Sequence, residues 1–268
     1  MGARPVLGVF DSGFGGLTVL RELLPRVPGA HCIYLGDTAR LPYGSKSQAT
    51  IARYAVESAR FLVERGAQHL VIACNTASAL ALDEIRESVV VPVTGVIEPA
   101  VDEAQHRHPK ADVLVLATSA TVQSHAYRTH CAAHGLRATE KACPLLVPLV
   151  EEGWIDHPVT HDVLRIYLRE ALATCAPEAV LLGCTHYPLI AQAIEAALRE
   201  LGSQAEVIDS ALATAIAVER TVWRSDAALS GQATFECFVT DSVEKFERLG
   251  SRFLGRPVGG VQLVDLGG

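Results

Sequence analysis

The stretch Leu70-Val71-Ile72-Ala73-Cys74-Asn75-Thr76 returns 110 residues later, in altered form, as Val180-Leu181-Leu182-Gly183-Cys184-Thr185-His186. Each reads as a buried strand, a small residue, a cysteine, and then a polar residue that opens a helix. Outward from this pair, which places strands at 70–73 and 180–182, short runs rich in Val, Ile and Leu recur at 6–10, 32–35, 93–96, 113–117, 207–208, 234–239 and 261–264. Longer segments of helical period separate them. Such alternation predicts an α/β protein whose parallel sheets are covered by helices on both faces. The repeated pattern predicts two similar lobes, each a mainly parallel sheet flanked by helices. Two helices are well signalled. Pro188 suits a first helical position, and Leu189, Ile190, Ala193, Ile194, Ala197, Leu198 and Leu201 follow as one stripe. Val243, Phe246, Leu249 and Phe253 make a narrower one. The polar segment 224–232 (RSDAALSGQ) reads as a loop.

Composition narrows the classes. Of 268 residues, 49% are hydrophobic and 20% charged, which excludes intrinsic disorder. The net charge of −7 speaks against a nucleic-acid partner, whose binding domains are usually basic. No apolar run approaches the roughly 18–20 residues that span a bilayer. The chain runs almost at once into Val6-Leu7-Gly8-Val9-Phe10 without signal-peptide anatomy, so a cytoplasmic location and no membrane partner are expected. The seven cysteines are scattered and none has CxxC spacing, which supports neither structural zinc nor a disulfide framework. His130 and His134 flank Cys131 at helical spacing, but Arg128 and Gly135 mark an exposed helix end. Gln105-His106-Arg107-His108 reads as a solvated stretch.

In open parallel sheets, ligands bind at the carboxyl ends of the strands. Four segments qualify. Asp11-Ser12-Gly13-Phe14-Gly15-Gly16 lacks dinucleotide-fingerprint spacing, but its glycines permit a tight turn with free amides for an anion, or simply a strand-to-helix turn. In the segment 36–44, Pro42-Tyr43-Gly44 can present a phenol and amides to a ligand. The third and fourth are the two cysteine segments. A cysteine between strand and helix meets unpaired amides and the positive helix end, which favour thiolate. Asn75, Thr76 and Thr185 add donors for a carboxylate. If the lobes face each other, one thiolate can take a proton from a substrate carbon while the other thiol delivers one to the opposite face. That inverts a stereocentre, and it needs two thiols in unlike protonation states. Cys184 and His186 also fit a hydrolase pair, which would leave Cys74 idle, and an anion-binding module on the same scaffold stays open.

At these segments the sequence resembles the bacterial glutamate racemases of the cofactor-independent aspartate/glutamate racemase superfamily. The matching motifs are DSGFGGL (11–17), YLGDTARLPYG (34–44), VIACNTASALALD (71–83), CPLLVPLVEEG (143–153) and LLGCTHYPLI (181–190). The resemblance implies two α/β lobes with the active site in the cleft between them, and racemisation of L- and D-glutamate without pyridoxal phosphate, metal or nucleotide. Carried over by motif position, Cys74 would deprotonate D-glutamate with Asp11 assisting, and Cys184 L-glutamate with His186 assisting. Ser12, Pro42, Tyr43, Gly44, Asn75, Thr76 and Thr185 would hold the substrate, with Thr118 and Thr121 near it. Glu151 falls where the family carries an acidic residue, and the adjacent Glu152 leaves open which of the two faces the site. The resemblance also implies a homodimer and D-glutamate made in the cytoplasm for peptidoglycan. The lobes are expected at 1–97 plus 208–268 and at 98–207. The absence of a cofactor is argued separately. A pyridoxal enzyme needs a Schiff-base lysine, and of Lys46, Lys110, Lys141 and Lys245 none follows a strand as the cysteines do.

Overall fold

A computed structural model of the chain describes residues 4–222 and 231–267. Ten strands lie among the described residues: β1 (Val6–Asp11), β2 (His31–Gly36), β3 (His69–Ile72), β4 (Val93–Gly95), β5 (Asp112–Ala117), β6 (Arg137–Ala142), β7 (Ala179–Gly183), β8 (Glu206–Asp209), β9 (Thr234–Val239) and β10 (Gln262–Leu263). They form two sheets, in the orders β10-β9-β2-β1-β3-β4 and β6-β5-β7-β8. Every pairing in both is parallel. The continuous apolar runs go where helices cover both faces: β3 and β7 are buried along their whole length.

Strand β6 was not legible. Its sequence, RATEKA, carries three charges and no Val, Ile or Leu. It lies at the edge of the second sheet, mostly half-buried, where charges protect an open edge from unwanted pairing. Arg137 stands opposite Asp112 in the register and donates to its carboxylate at 2.6 and 2.9 Å. The return of the chain to the first sheet also differs from expectation. The boundary at 207/208 falls inside β8, which pairs with β7, so the chain leaves the second sheet only after Asp209. The helix Ser210–Val222 then packs against both Leu17–Leu23 and Ile97–Arg107 and ties the two sheets together.

Pro188 does not begin an α-helix. It lies in a 3-10 turn, Tyr187–Ile190, and the α-helix runs Ala191–Glu200 with Ala193, Ile194, Ala197 and Leu198 buried. The second stripe forms the helix Val243–Leu254, burying Phe246, Leu249 and Phe253. Phe246 packs 5.7 Å from Phe14 and 5.8 Å from Tyr34, between ring centroids, under the turn that follows β1. The stretch expected to be solvated is partly paired, since Arg107 and His108 both bond Glu206. His134 pairs with Asp102 at 3.0 Å. Within the expected loop, residues 224–230 lie outside the described ones. No helix among the described residues is long and apolar enough to cross a membrane.

Candidate active site

The carboxyl ends of the two sheets meet, and the contact begins at the turn after β1. Asp11 ends that strand, fully buried, and its Oδ2 accepts a hydrogen bond from the Gly13 amide at 2.8 Å. Its Oδ1 is buried without a protein partner. The Gly13 amide is thus spent on Asp11 rather than free for an anion. Burial raises the Asp11 pKa, opposed first by the charge of His186 and then by the Gly13 amide. Further along the turn, a β-carbon on Gly15 would stand 2.1 Å from Thr185 Oγ1 and 2.6 Å from His186 Nδ1. Thr18 Oγ1 lies 2.9 Å from the Gly15 carbonyl and 3.0 Å from that of Thr185. The glycine-rich turn of the first sheet is therefore seated against the Cys184-Thr185-His186 segment of the second.

Cys74 caps the helix Asn75–Leu80, its Sγ accepting from the Ala77 amide at 3.4 Å. It also lies 3.4 Å from Ser12 Oγ. The helix end was expected to favour thiolate, and the Ala77 amide does act in that direction, but it is outweighed. Burial, and next the charge of Asp11, push the thiol up to about 12, outweighing the Ser12 and Ala77 contacts. Cys74 is a thiol at neutral pH.

The other cysteine has different company. Cys184 directly follows β7, and its Sγ lies 3.9 Å from His186 Nδ1. His186 Nε2 meets Glu151 Oε1 at 3.2 Å, and the ring edge-packs on Phe253 with centroids 4.9 Å apart. Burial alone would discharge this imidazole. The Cys184 and Glu151 contacts overcome it and hold the pKa at about 10, so His186 is a cation at neutral pH. Burial works to raise the Glu151 pKa, but the His186 bond, its charge and Lys245 outweigh it and the carboxyl is lowered. Glu151 ends the helix Leu146–Glu151 and turns inward, whereas Glu152 is exposed. Of the two, Glu151 is the one that meets His186.

Hydroxyls and an amide follow Cys74 along the chain and meet the other sheet. Thr76 Oγ1 is 3.1 Å from Thr118 Oγ1 and 3.3 Å from Thr121 Oγ1, and those two are 3.0 Å apart. Three hydroxyls from two lobes thus close a ring. Asn75 is buried, its Oδ1 bonded and its Nδ2 without a protein partner. The Tyr43 phenol does not face a ligand as expected. Its ring is buried beside Phe10 and Tyr54, and its hydroxyl donates to Asp37 Oδ2 at 2.6 Å. What the exposed Pro42, the buried Tyr43 and the half-buried Gly44 can offer is backbone, and a β-carbon on Gly44 would stand 3.4 Å from Thr118 Cβ.

Two buried residues that hydrogen-bond candidate site side chains went unseen in the sequence, Asp37 and Tyr127. Asp37 is buried and holds Tyr43 and Thr240; its place after a strand was the only signal. Tyr127 donates to Asn75 Oδ1 from the other sheet's helices, and nothing local marks it. Among the described residues, no group of three or more His, Cys, Asp or Glu side chains is close enough to hold a metal ion. A cavity of about 440 Å³ lined by Arg21, Leu24, Leu254 and Arg256 contains none of these groups.

Fold and site define an α/β enzyme that gathers thiols, an imidazolium and buried carboxylates at the junction of two parallel sheets. The family model described as Asp/Glu/Hydantoin racemase matches residues 15–218, and the chain belongs to that family. A glutamate racemase of Koribacter versatilis is 48% identical over 290 residues, covering 99% of each chain. A crystal structure of glutamate racemase from Francisella tularensis in complex with D-glutamate superposes with a TM-score of 0.88 at 33% identity, covering 98% of both chains. A glutamate racemase isoform from Bacillus anthracis does so at 0.89, with 34% identity and 99% coverage of each.

Proposed function

We propose that the chain interconverts L- and D-glutamate by proton transfer between two cysteines, without a cofactor. The observation that carries this is the unlike setting of the two thiols. Cys74 is a thiol beside a buried carboxylate, and Cys184 lies against the His186 cation. A thiolate at Cys184 would be stabilised by that cation and would take the Cα proton of L-glutamate. Charge developing on the α-carboxylate would be met by donors already in place, of which Asn75 Nδ2 and the threonine hydroxyls are of the right type. Cys74 would then give its proton to the other face, ending as the thiolate while Cys184 ends as the thiol. The reverse direction exchanges the roles. Asp11 assists Cys74, and Glu151 keeps His186 charged. Ser12, Thr185 and the backbone of Pro42-Tyr43-Gly44 complete the substrate's surroundings.

Glutamate is favoured as substrate by the relatives named above. On the same likeness we propose a homodimer in the cytoplasm that supplies D-glutamate for peptidoglycan. We also propose two lobes divided near 97, the second ending at 209 rather than 207 because β8 lies in its sheet.

Incubation of the protein with L-glutamate in D2O, with no cofactor added, tests the reading. Optical rotation should decay to zero with one deuteron entering Cα. Cys74→Ala and Cys184→Ala should each lose roughly 10²–10⁴-fold in rate, the contribution of a positioned acid or base. A folded wild type that neither exchanges nor racemises would overturn the assignment.

A further inference from the structure

Tyr127 touches the neighbourhoods of both cysteines. It stands on the helix Ala126–Ala133, which packs against β6, and it is fully buried. Its ring abuts β7, where a β-carbon on Gly183 would come 3.1 Å from Cε2, one residue before Cys184. Its hydroxyl donates to Asn75 Oδ1 at 2.6 Å, one residue after Cys74. The Asn75 amide is the only hydrogen-bond partner found for that hydroxyl among the described residues, so the phenolic proton requires the oxygen end of the amide. The choice of end is consequential, because it leaves Nδ2, buried and unpartnered, as the end available to anything bound beside Cys74 and Thr76. A buried donor without a partner is costly, and such a cost is tolerated where a ligand completes the bond.

We infer that Tyr127 is a positioning residue: from the second lobe, it sets the Asn75 carboxamide so that Nδ2 is the donor offered to the substrate carboxylate. This rests on the racemase reading for the identity of the ligand, but not for the orientation of the amide. A consequence is that the donor beside Cys74 is correctly set only while the two lobes are together.

Tyr127→Phe removes the hydroxyl and keeps the ring against Gly183. KM for both glutamate enantiomers should rise roughly tenfold, the loss expected for one oriented hydrogen bond, with kcat changing by less than about threefold. In an Asn75→Ala background the same change should alter KM by less than about twofold, because the amide it orients is gone. An equal effect in both backgrounds would mean that Tyr127 only packs, and no effect in either would remove the proposal. The orientation is read without turnover from the Asn75 side-chain NH2 signals by nitrogen-15 NMR. They should shift and exchange faster with solvent in Tyr127→Phe; unchanged signals would overturn the inference whether or not the protein racemises glutamate. Should the variant not fold, the wild type decides. Adding glutamate moves those signals if Nδ2 meets the ligand, and leaves them in place if it does not.

Discussion

Gly15 and Thr185 approach so closely that a β-carbon on the glycine would overlap the threonine Oγ1, at 2.1 Å. The two residues follow strands of different sheets, so at this point the lobes come together with no room for a side chain. This contact also explains a glycine that no positive φ demands.

Gly15→Ala should therefore act on the gap between lobes more than on either lobe. Overpacking of this kind costs about 1–3 kcal/mol. A modest fall in Tm with a far larger loss of racemisation, roughly a hundredfold if the reacting groups move by an ångström, is expected from thermal denaturation and steady-state assays on one preparation. A variant with wild-type activity would show that the contact does not govern the site.

Glu151→Gln removes the carboxylate that helps keep His186 charged. The His186 pKa should fall from about 10 toward its ordinary 6.5, read by NMR titration of the ring. The linkage has a definite sign. A raised histidine pKa stabilises the fold fully below about 6.5, and the effect is lost as pH rises through about 10. Wild type minus Glu151→Gln should thus show a stability difference that shrinks across that window. Glu152→Gln, at the exposed neighbour, should leave both the titration and the stability unchanged.

Tyr43→Phe tests whether the phenol serves the fold rather than the ligand. Asp37 is buried, and burial, the largest cause, raises its pKa; the Tyr43 hydroxyl is first among the groups that lower it. Without that hydroxyl the carboxylate loses a charged hydrogen bond, worth about 1.5–3 kcal/mol. The pKa should rise further, so the loss in stability should be large at pH 7 and shrink as pH falls and Asp37 protonates. Equal losses at pH 7 and pH 4 in urea denaturation would place the effect in packing instead.

Much of this was legible in the sequence where burial writes itself in Val, Ile and Leu. Nine strands announced themselves, and β6 did not, because a half-buried edge strand can be made of Arg, Glu and Lys. The cysteines stood out as candidates from their places at strand ends, whereas Asp11 was singled out only by the family motif. The state of Cys74 was not legible, since a helix-cap position argues for thiolate and only the three-dimensional surroundings reveal how completely water is removed. Tyr43 misled for a similar reason: a tyrosine in a Pro-Tyr-Gly loop looks free until Asp37 is found beneath it. Tyr127 lies 52 residues from Asn75, and no local pattern links them.

The ring of Thr76, Thr118 and Thr121 has a property that bears on handedness. Each hydroxyl can give one proton and take one, so the three can circulate in either sense with no heavy atom moving and no net charge created. A rigid row of amides would present one fixed arrangement and suit one mirror image better than the other. Under the proposed reaction, a ring of this kind would adapt to either enantiomer by reversing its sense.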